Sequence, residues 1–124
     1  MAGTAVRALV PLAHVADIAR SIAFYAKLGF TVENQVVAAG EEQPNWAWLR
    51  SDRAEIMLAR ATEPVIAREQ AVLFYTYCDD AAATHAALAA AGLEPGAIAT
   101  PFYNPGGEFR LVDPDGYVVY VAQI

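Results

Sequence analysis

The sequence has a single cysteine, Cys78, and a single lysine, Lys27. One thiol forbids an intrachain disulfide, and no C-x-x-C motif or paired histidine argues for thiol catalysis. A reduced, cytoplasmic setting is therefore expected. Basic residues number 8 against 14 acidic ones, for a net charge of −6. They are scattered rather than clustered, so the basic stripe that nucleic acid requires is missing. An acidic balance suits a cationic ligand, though it also simply keeps a protein dissolved. Charged residues make up only 18% and hydrophobic ones 56%, which excludes intrinsic disorder. No apolar run approaches the roughly 18 residues of a membrane span, so no membrane association is expected. Residues 1–7 show no basic region followed by a long apolar stretch, so no secretory leader is expected. Also absent are a phosphate loop, a Ser-His-Asp spacing and paired catalytic carboxylates at a recognisable spacing. The 124 residues amount to one domain, large enough to fold without disulfides or metal.

What is present is a repeat. Two helices are expected, over residues 17–28 and 80–91. Each opens at an aspartate able to cap free backbone N–H groups, Asp17 and Asp80. Each closes at a glycine suited to the left-handed position after a helix, Gly29 and Gly92. Asp17 to Asp80, Gly29 to Gly92 and Asp52 to Asp115 are all separated by 63 residues. Strands are expected over residues 7–15, 30–38, 45–50 and 54–60 in the first half. In the second they fall at 71–78, 93–99, 108–112 and 117–122. The expected architecture is α+β, a single domain over 1–124, with two βαβββ modules at about 5–60 and 70–124 forming a curved mixed-sheet cup. Residues 61–70 connect them, and the Pro- and Gly-broken stretch 99–107 reads as a turn or flap.

The last two strands flank Asp113-Pro114-Asp115-Gly116, a type I turn with a glycine bulge. Its closing pair, Asp113 with Tyr117, sets Arg110 opposite Tyr120. Arg110, Val112, Val118 and Tyr120 then share one face, towards a cavity or solvent. Phe109, Leu111, Val119 and Val121 share the other, towards the helix. The same logic displaced by 63 puts Ala47, Leu49, Glu55 and Met57 on the cavity face of the first half. It puts Trp46, Trp48, Ile56 and Leu58 under the helix. The leading strands add Val10, Leu12 and His14, and Leu73, Tyr75 and Tyr77.

Val15-Ala16-Asp17, Ser21-Ile22-Ala23-Phe24-Tyr25 and Leu28-Gly29-Phe30, with the late Phe109–Gly116 segment, resemble the vicinal oxygen chelate superfamily. This is the group of glyoxalases, bleomycin-resistance proteins and extradiol dioxygenases. The resemblance spans nearly the whole chain. It implies that enzymes of the group hold a divalent metal at positions matching Val10, Leu73, Met57 and Tyr120 here. Valine, leucine and methionine cannot hold such an ion, and tyrosine is an uncommon ligand. The resemblance therefore implies the metal-free branch similar to bleomycin-resistance proteins, whose short chains pair as homodimers with each cleft built from both copies.

On this reading the protein binds a small, partly aromatic molecule, with no cofactor, no metal and no catalytic residue, and drug sequestration is the named version. The candidate ligand-binding residues are Leu12, His14, Glu55, Met57, Tyr75, Tyr77, Arg110 and Tyr120. His14 is a polar anchor, a general base, or a strand-end histidine bonded to backbone. The tyrosines offer an apolar face and one hydrogen bond each, or are ordinary strand residues. Arg110 and Glu55 orient a ligand's charged groups, or pair with each other. His85 reads as a surface or packing residue and Cys78 as a buried thiol. The alternative is a metal-dependent lyase, isomerase or extradiol-type dioxygenase, which a one-residue change of register would favour by bringing His14, Glu55 and Glu108 together.

Overall fold

The computed structural model describes residues 3–124; Met1 and Ala2, the start of the stretch read for a leader, lie outside the described residues. The first half contains β1 (Leu12–Val15), α1 (Ile18–Ala26), β2 (Thr31–Val36), β3 (Trp46–Ser51) and β4 (Ala54–Arg60). A turn of 3-10 helix at Ala67–Glu69 lies in the connection. The second half contains β5 (Leu73–Cys78), α2 (Ala81–Ala90), β6 (Glu108–Val112) and β7 (Val118–Gln123). Among the described residues no helix is long and apolar enough to cross a membrane.

The helices start and stop where their end chemistry dictates. The Asp17 carboxylate accepts from the Arg20 N–H at 3.1 Å and Asp80 from the Ala83 N–H at 2.9 Å. Gly29 and Gly92 both sit at φ +92, a conformation that a Cβ disfavours. Helix α1 buries Ile18, Ser21, Phe24 and Tyr25. The alanine-rich α2 buries only Ala81 and Leu88.

Each half builds its own mixed sheet, in the order β1-β4-β3-β2 and β5-β7-β6. The outer pairs β1/β4 and β5/β7 are parallel, and the hairpins are antiparallel. Leu12 stands beside Met57 and Tyr75 beside Tyr120, so the 63-residue repeat of the sequence is a repeat of register. The strand expected over 93–99 is reduced to a bridge between Ala99 and Glu108, with one further bond from the Gly96 N–H to the Arg110 carbonyl at 2.9 Å. Pro95 has no N–H to give, so a continuous ladder is not possible there. The leading strand also begins later than its pattern suggests: residues 7–11 lie outside β1, whose pairing with β4 starts at Leu12 and Met57 after a bond from the Met57 N–H to the Pro11 carbonyl at 2.8 Å.

The repeat breaks at the first hairpin. Ser51 pairs with Ala54, leaving a loop of Asp52 and Arg53 alone, with Asp52 at φ +52. The second hairpin closes at Asp113 and Tyr117 around Pro114, Asp115 and Gly116. The first loop is thus one residue shorter, and a one-residue slip turns every side chain of a strand over. Trp48, not Leu49, pairs with Met57, and Leu49 pairs with Ile56. Ala47 and Leu49 are buried in the core, while Trp46 and Trp48 stand on the opposite face with Glu55 and Met57. The expectation for β3 is thereby reversed; that for β4, β6 and β7 holds.

One core serves both halves. Ile18, Phe24, Tyr25, Leu49, Ile56 and Leu58 form a single cluster with Phe109, Leu111, Val119 and Val121. The far face of each sheet is left open.

Candidate functional site and family

The open face of the second sheet is aromatic. β5 alternates Leu73, Tyr75 and Tyr77 outward, and β7 presents Tyr120 directly beside Tyr75. The two rings stack in parallel at 4.8 Å with an interplanar angle of 6°, and Tyr77 lies 6.4 Å from Tyr75. β6 adds Glu108, Arg110 and Val112, with Arg110 opposite Tyr120 as the turn geometry predicts. Glu108 Oε2 accepts from the Tyr75 hydroxyl at 3.1 Å and from the Tyr103 hydroxyl at 3.3 Å. Hydrogen bonding with Tyr103, then burial and the nearby Glu108 charge, raise the Tyr75 phenol above its ordinary value.

On the first sheet the open face carries Leu12 and His14 from β1, Glu55 and Met57 from β4, and Trp46 and Trp48 from β3. The two indoles meet edge to face at 6.3 Å. Glu55 is engaged by Arg50 at 2.9 Å, its direct cross-strand neighbour, rather than by Arg110. His14 is exposed, and among the described residues its ring makes no hydrogen bond; its carbonyl accepts from the Tyr117 hydroxyl at 2.8 Å. The candidate residues therefore fall into two groups on two sheets. Tyr75, Tyr77, Arg110 and Tyr120 share one face, and Leu12, His14, Glu55 and Met57 share the other.

A cavity of about 490 Å³ opens where the Ser51–Ala54 turn and the end of α1 approach β5. Tyr75 and Tyr77 reach it, together with Leu28, Phe30 and Cys78. His85 donates its Nε2–H to the Gly96 carbonyl, 3.0 Å away, and packs edge-on against Phe109, a packing role. Cys78 is half-buried rather than fully buried.

Four participants are missing from the expected ligand-binding set, although the metal-enzyme alternative names Glu108. Trp46 and Trp48 were hidden by the short loop. Glu108 lies two residues before Arg110 on the same strand face, so alternation alone marks it. Tyr103 carried no local signal, because its contact to Glu108 depends on how the 100–107 loop folds back. Trp48 Nε1 and Glu108 Oε1 are both buried without a hydrogen-bond partner, one on each open face.

The sequence profile of the Glyoxalase/Bleomycin resistance protein/Dioxygenase superfamily matches residues 9–121. The chain belongs to this superfamily. Solved structures with the same fold include a bleomycin-binding protein complexed with bleomycin, at 20% identity and a TM-score of 0.74, covering 96% of this chain and 99% of that one. TnmS3, an antibiotic binding protein from Streptomyces sp. CB03234, aligns at 18% identity and a TM-score of 0.75, covering 98% of both chains. A bleomycin resistance determinant encoded on the transposon Tn5 aligns at 21% identity and a TM-score of 0.68, covering 95% and 98%. No curated protein matches by sequence. At these identities the likeness establishes the fold, and the chemistry has to be argued from the side chains.

Some members of the superfamily work through a divalent metal, and the donor set here does not suit one. The positions that the resemblance assigns to its ligands hold Val10, Leu73, Met57 and Tyr120. Among the described residues no three His, Cys, Asp or Glu side chains come together. His14 and Glu55 stand on one sheet and Glu108 on the other, so the convergence that would favour a metal enzyme does not occur within the chain.

Proposed function

We propose that this protein binds a small, partly aromatic molecule, of the antibiotic class bound by its structural neighbours, and sequesters it without chemical change and without a metal. The observation that carries this reading is the exposed aromatic face: Tyr75 stacked on Tyr120, flanked by Tyr77, with two indoles on the companion sheet. Planar amphipathic ligands are held by such surfaces through stacking and a few hydrogen bonds. The two unpartnered polar atoms, an indole N–H and a carboxylate oxygen, offer one donor and one acceptor for orientation.

The working form is a cytoplasmic homodimer. Leu12, Leu73, Tyr75 and Tyr77 are exposed in the single chain, as are Val6 and Leu9 in the segment before β1. β1 and β5 are both edge strands. Uncovered apolar surface beside an open sheet edge favours a second copy, which would bring a first-half face and a second-half face together around one cleft.

The test is calorimetric titration of the purified, untagged protein with bleomycin and a panel of aromatic antibiotics, with the metal content and molar mass of the same sample measured. The expected result is a saturable one-to-one ratio of ligand to chain, drug recovered unaltered, a dimer mass and far less than one equivalent of transition metal. Stoichiometric metal, or conversion of the ligand, would support the lyase, isomerase or dioxygenase reading instead.

A further inference from the structure

Glu108 is a half-satisfied buried carboxylate. Its residue is only 5% exposed, yet Oε1 has no hydrogen-bond partner while Oε2 takes two phenolic hydrogens. A charged group held out of water with an empty acceptor is costly, and native structures tolerate it where something else supplies the missing partner. Arg110, two residues along the same face, does not fill that role. The ion pairs among the described residues are Arg50 with Glu55 and Arg60 with Glu41.

The surroundings select the partner's chemistry. The Tyr75–Tyr120 stack beside the carboxylate presents the electron-rich ring faces that attract organic cations. A bare divalent ion is a poor match, since it wants several oxygen ligands and only one carboxylate is here. An anion would be repelled by it. Over the site lies Tyr103, 61% exposed, on a loop whose neighbouring Phe102 is 97% exposed. Pro101, Pro105, Gly106 and Gly107 break that loop, with Gly107 at φ +103. Tyr103's bond to Glu108, at 3.3 Å, is long for an O–H donor, so this cover is lightly held.

We infer that Glu108 anchors a cationic nitrogen, an ammonium or amidinium group, of a ligand whose aromatic portion lies against the Tyr75–Tyr120 stack, and that Tyr103 moves aside to admit it. The inference rests on the small-molecule-binding reading and narrows it to aromatic cations.

Benzamidine and benzamide test it, because they share a planar shape and differ in charge. Both are titrated into the protein by NMR, into wild type and Glu108→Gln. Wild type is expected to bind benzamidine at least about tenfold more tightly than benzamide, the usual advantage of a charge-assisted contact. Shifts should be concentrated at Glu108, Tyr75 and Tyr120, and the preference should fall to about twofold or less in Glu108→Gln. Equal binding of the two probes to wild type overturns the cationic anchor while leaving the aromatic-binding reading intact. A preference that survives Glu108→Gln, or shifts located elsewhere, overturns it as well. Binding of neither probe overturns it too, and the antibiotic panel then decides separately whether the broader reading stands. Should Glu108→Gln fail to fold, the wild-type ratio and the shift map are sufficient to decide.

Discussion

The Tyr25 hydroxyl donates to Asp113 Oδ2 at 2.8 Å, joining residues that are 88 positions apart. Around it, Asp113 Oδ1 accepts the backbone N–H groups of Asp115 and Tyr117, each at 2.9 Å. The Asp115 carboxylate reaches the Ala16 N–H at 2.9 Å and the Ser21 hydroxyl at 3.4 Å. The turn of the second half is thereby pinned to the start of α1 in the first. Both aspartates are buried, so each bond made here also settles a group that water cannot reach.

Tyr25→Phe should therefore cost more than one ordinary hydrogen bond. The ring stays packed, but Asp113 Oδ2 loses its donor inside the protein, a change worth about 1–3 kcal/mol. Thermal unfolding should show a midpoint several degrees lower. A midpoint within a degree of wild type would mean that water replaces the hydroxyl and that the two halves are not joined through this contact.

The same network sets a pH dependence. Burial raises the Asp113 carboxyl above its ordinary value, against the opposing hydrogen bonds from Tyr25, Tyr117 and Asp115. A raised carboxylate means that the folded state holds the proton more tightly than the unfolded state. Its contribution to stability is then present at low pH and is lost as pH rises from the ordinary carboxylate range through the raised value. Asp113→Asn removes that proton site. The stability of wild type minus that of Asp113→Asn, measured by denaturant unfolding at several pH values, should fall across this window and then level off. A difference that grows with pH would mean that the hydrogen bonds outweigh burial.

Gly116 is the position in the same turn least tolerant of a side chain. It sits at φ +91, and a Cβ there would overlap the Cβ of Ala67 in the connection between the halves. Gly116→Ala combines left-handed strain with a steric conflict involving backbone. A loss of at least about 2 kcal/mol in unfolding free energy is expected. Restoring room with Ala67→Gly should recover the part due to the Ala67 methyl and leave the close backbone approach and the strain. If the double variant recovers nothing, the Ala67 methyl is not the cause.

Which features the sequence discloses follows from how local their causes are. Asp17 and Asp80 cap their own helices, and Gly29 and Gly92 end them, so the helices and the repeat could be read directly. The Asp113–Gly116 turn carries its own proline and glycine, so the β6–β7 register and the face shared by Arg110 and Tyr120 could be read as well. The Asp52–Arg53 loop has neither residue, and the repeat gave no warning that it is one residue shorter. Asp113 and Asp115 read as turn formers; their contacts to Tyr25, Ala16 and Ser21 are set by the docking of the two halves. Glu108's unpartnered oxygen likewise depends on the path of the loop bearing Tyr103.

The register of β3 can be tested in solution because its two faces have opposite energetic consequences. Leu49 is 1% exposed and pairs with Ile56 in the core, so Leu49→Ala should cost about 2–5 kcal/mol in lost transfer energy and residual cavity. Trp48 is half-buried on the open face, and its Nε1–H has no acceptor. Trp48→Phe keeps an aromatic surface and deletes that unsatisfied donor, so its cost should stay within about 1 kcal/mol. Chemical unfolding of the two variants separates the registers. A large loss from Trp48→Phe with little from Leu49→Ala would turn the strand over, put both indoles back under the helix, and remove them from any ligand cleft. The expected order leaves Trp46 and Trp48 on the open face. Their fluorescence should then respond to an aromatic ligand, and Trp48→Phe should weaken a ligand that accepts a hydrogen bond by about three- to tenfold.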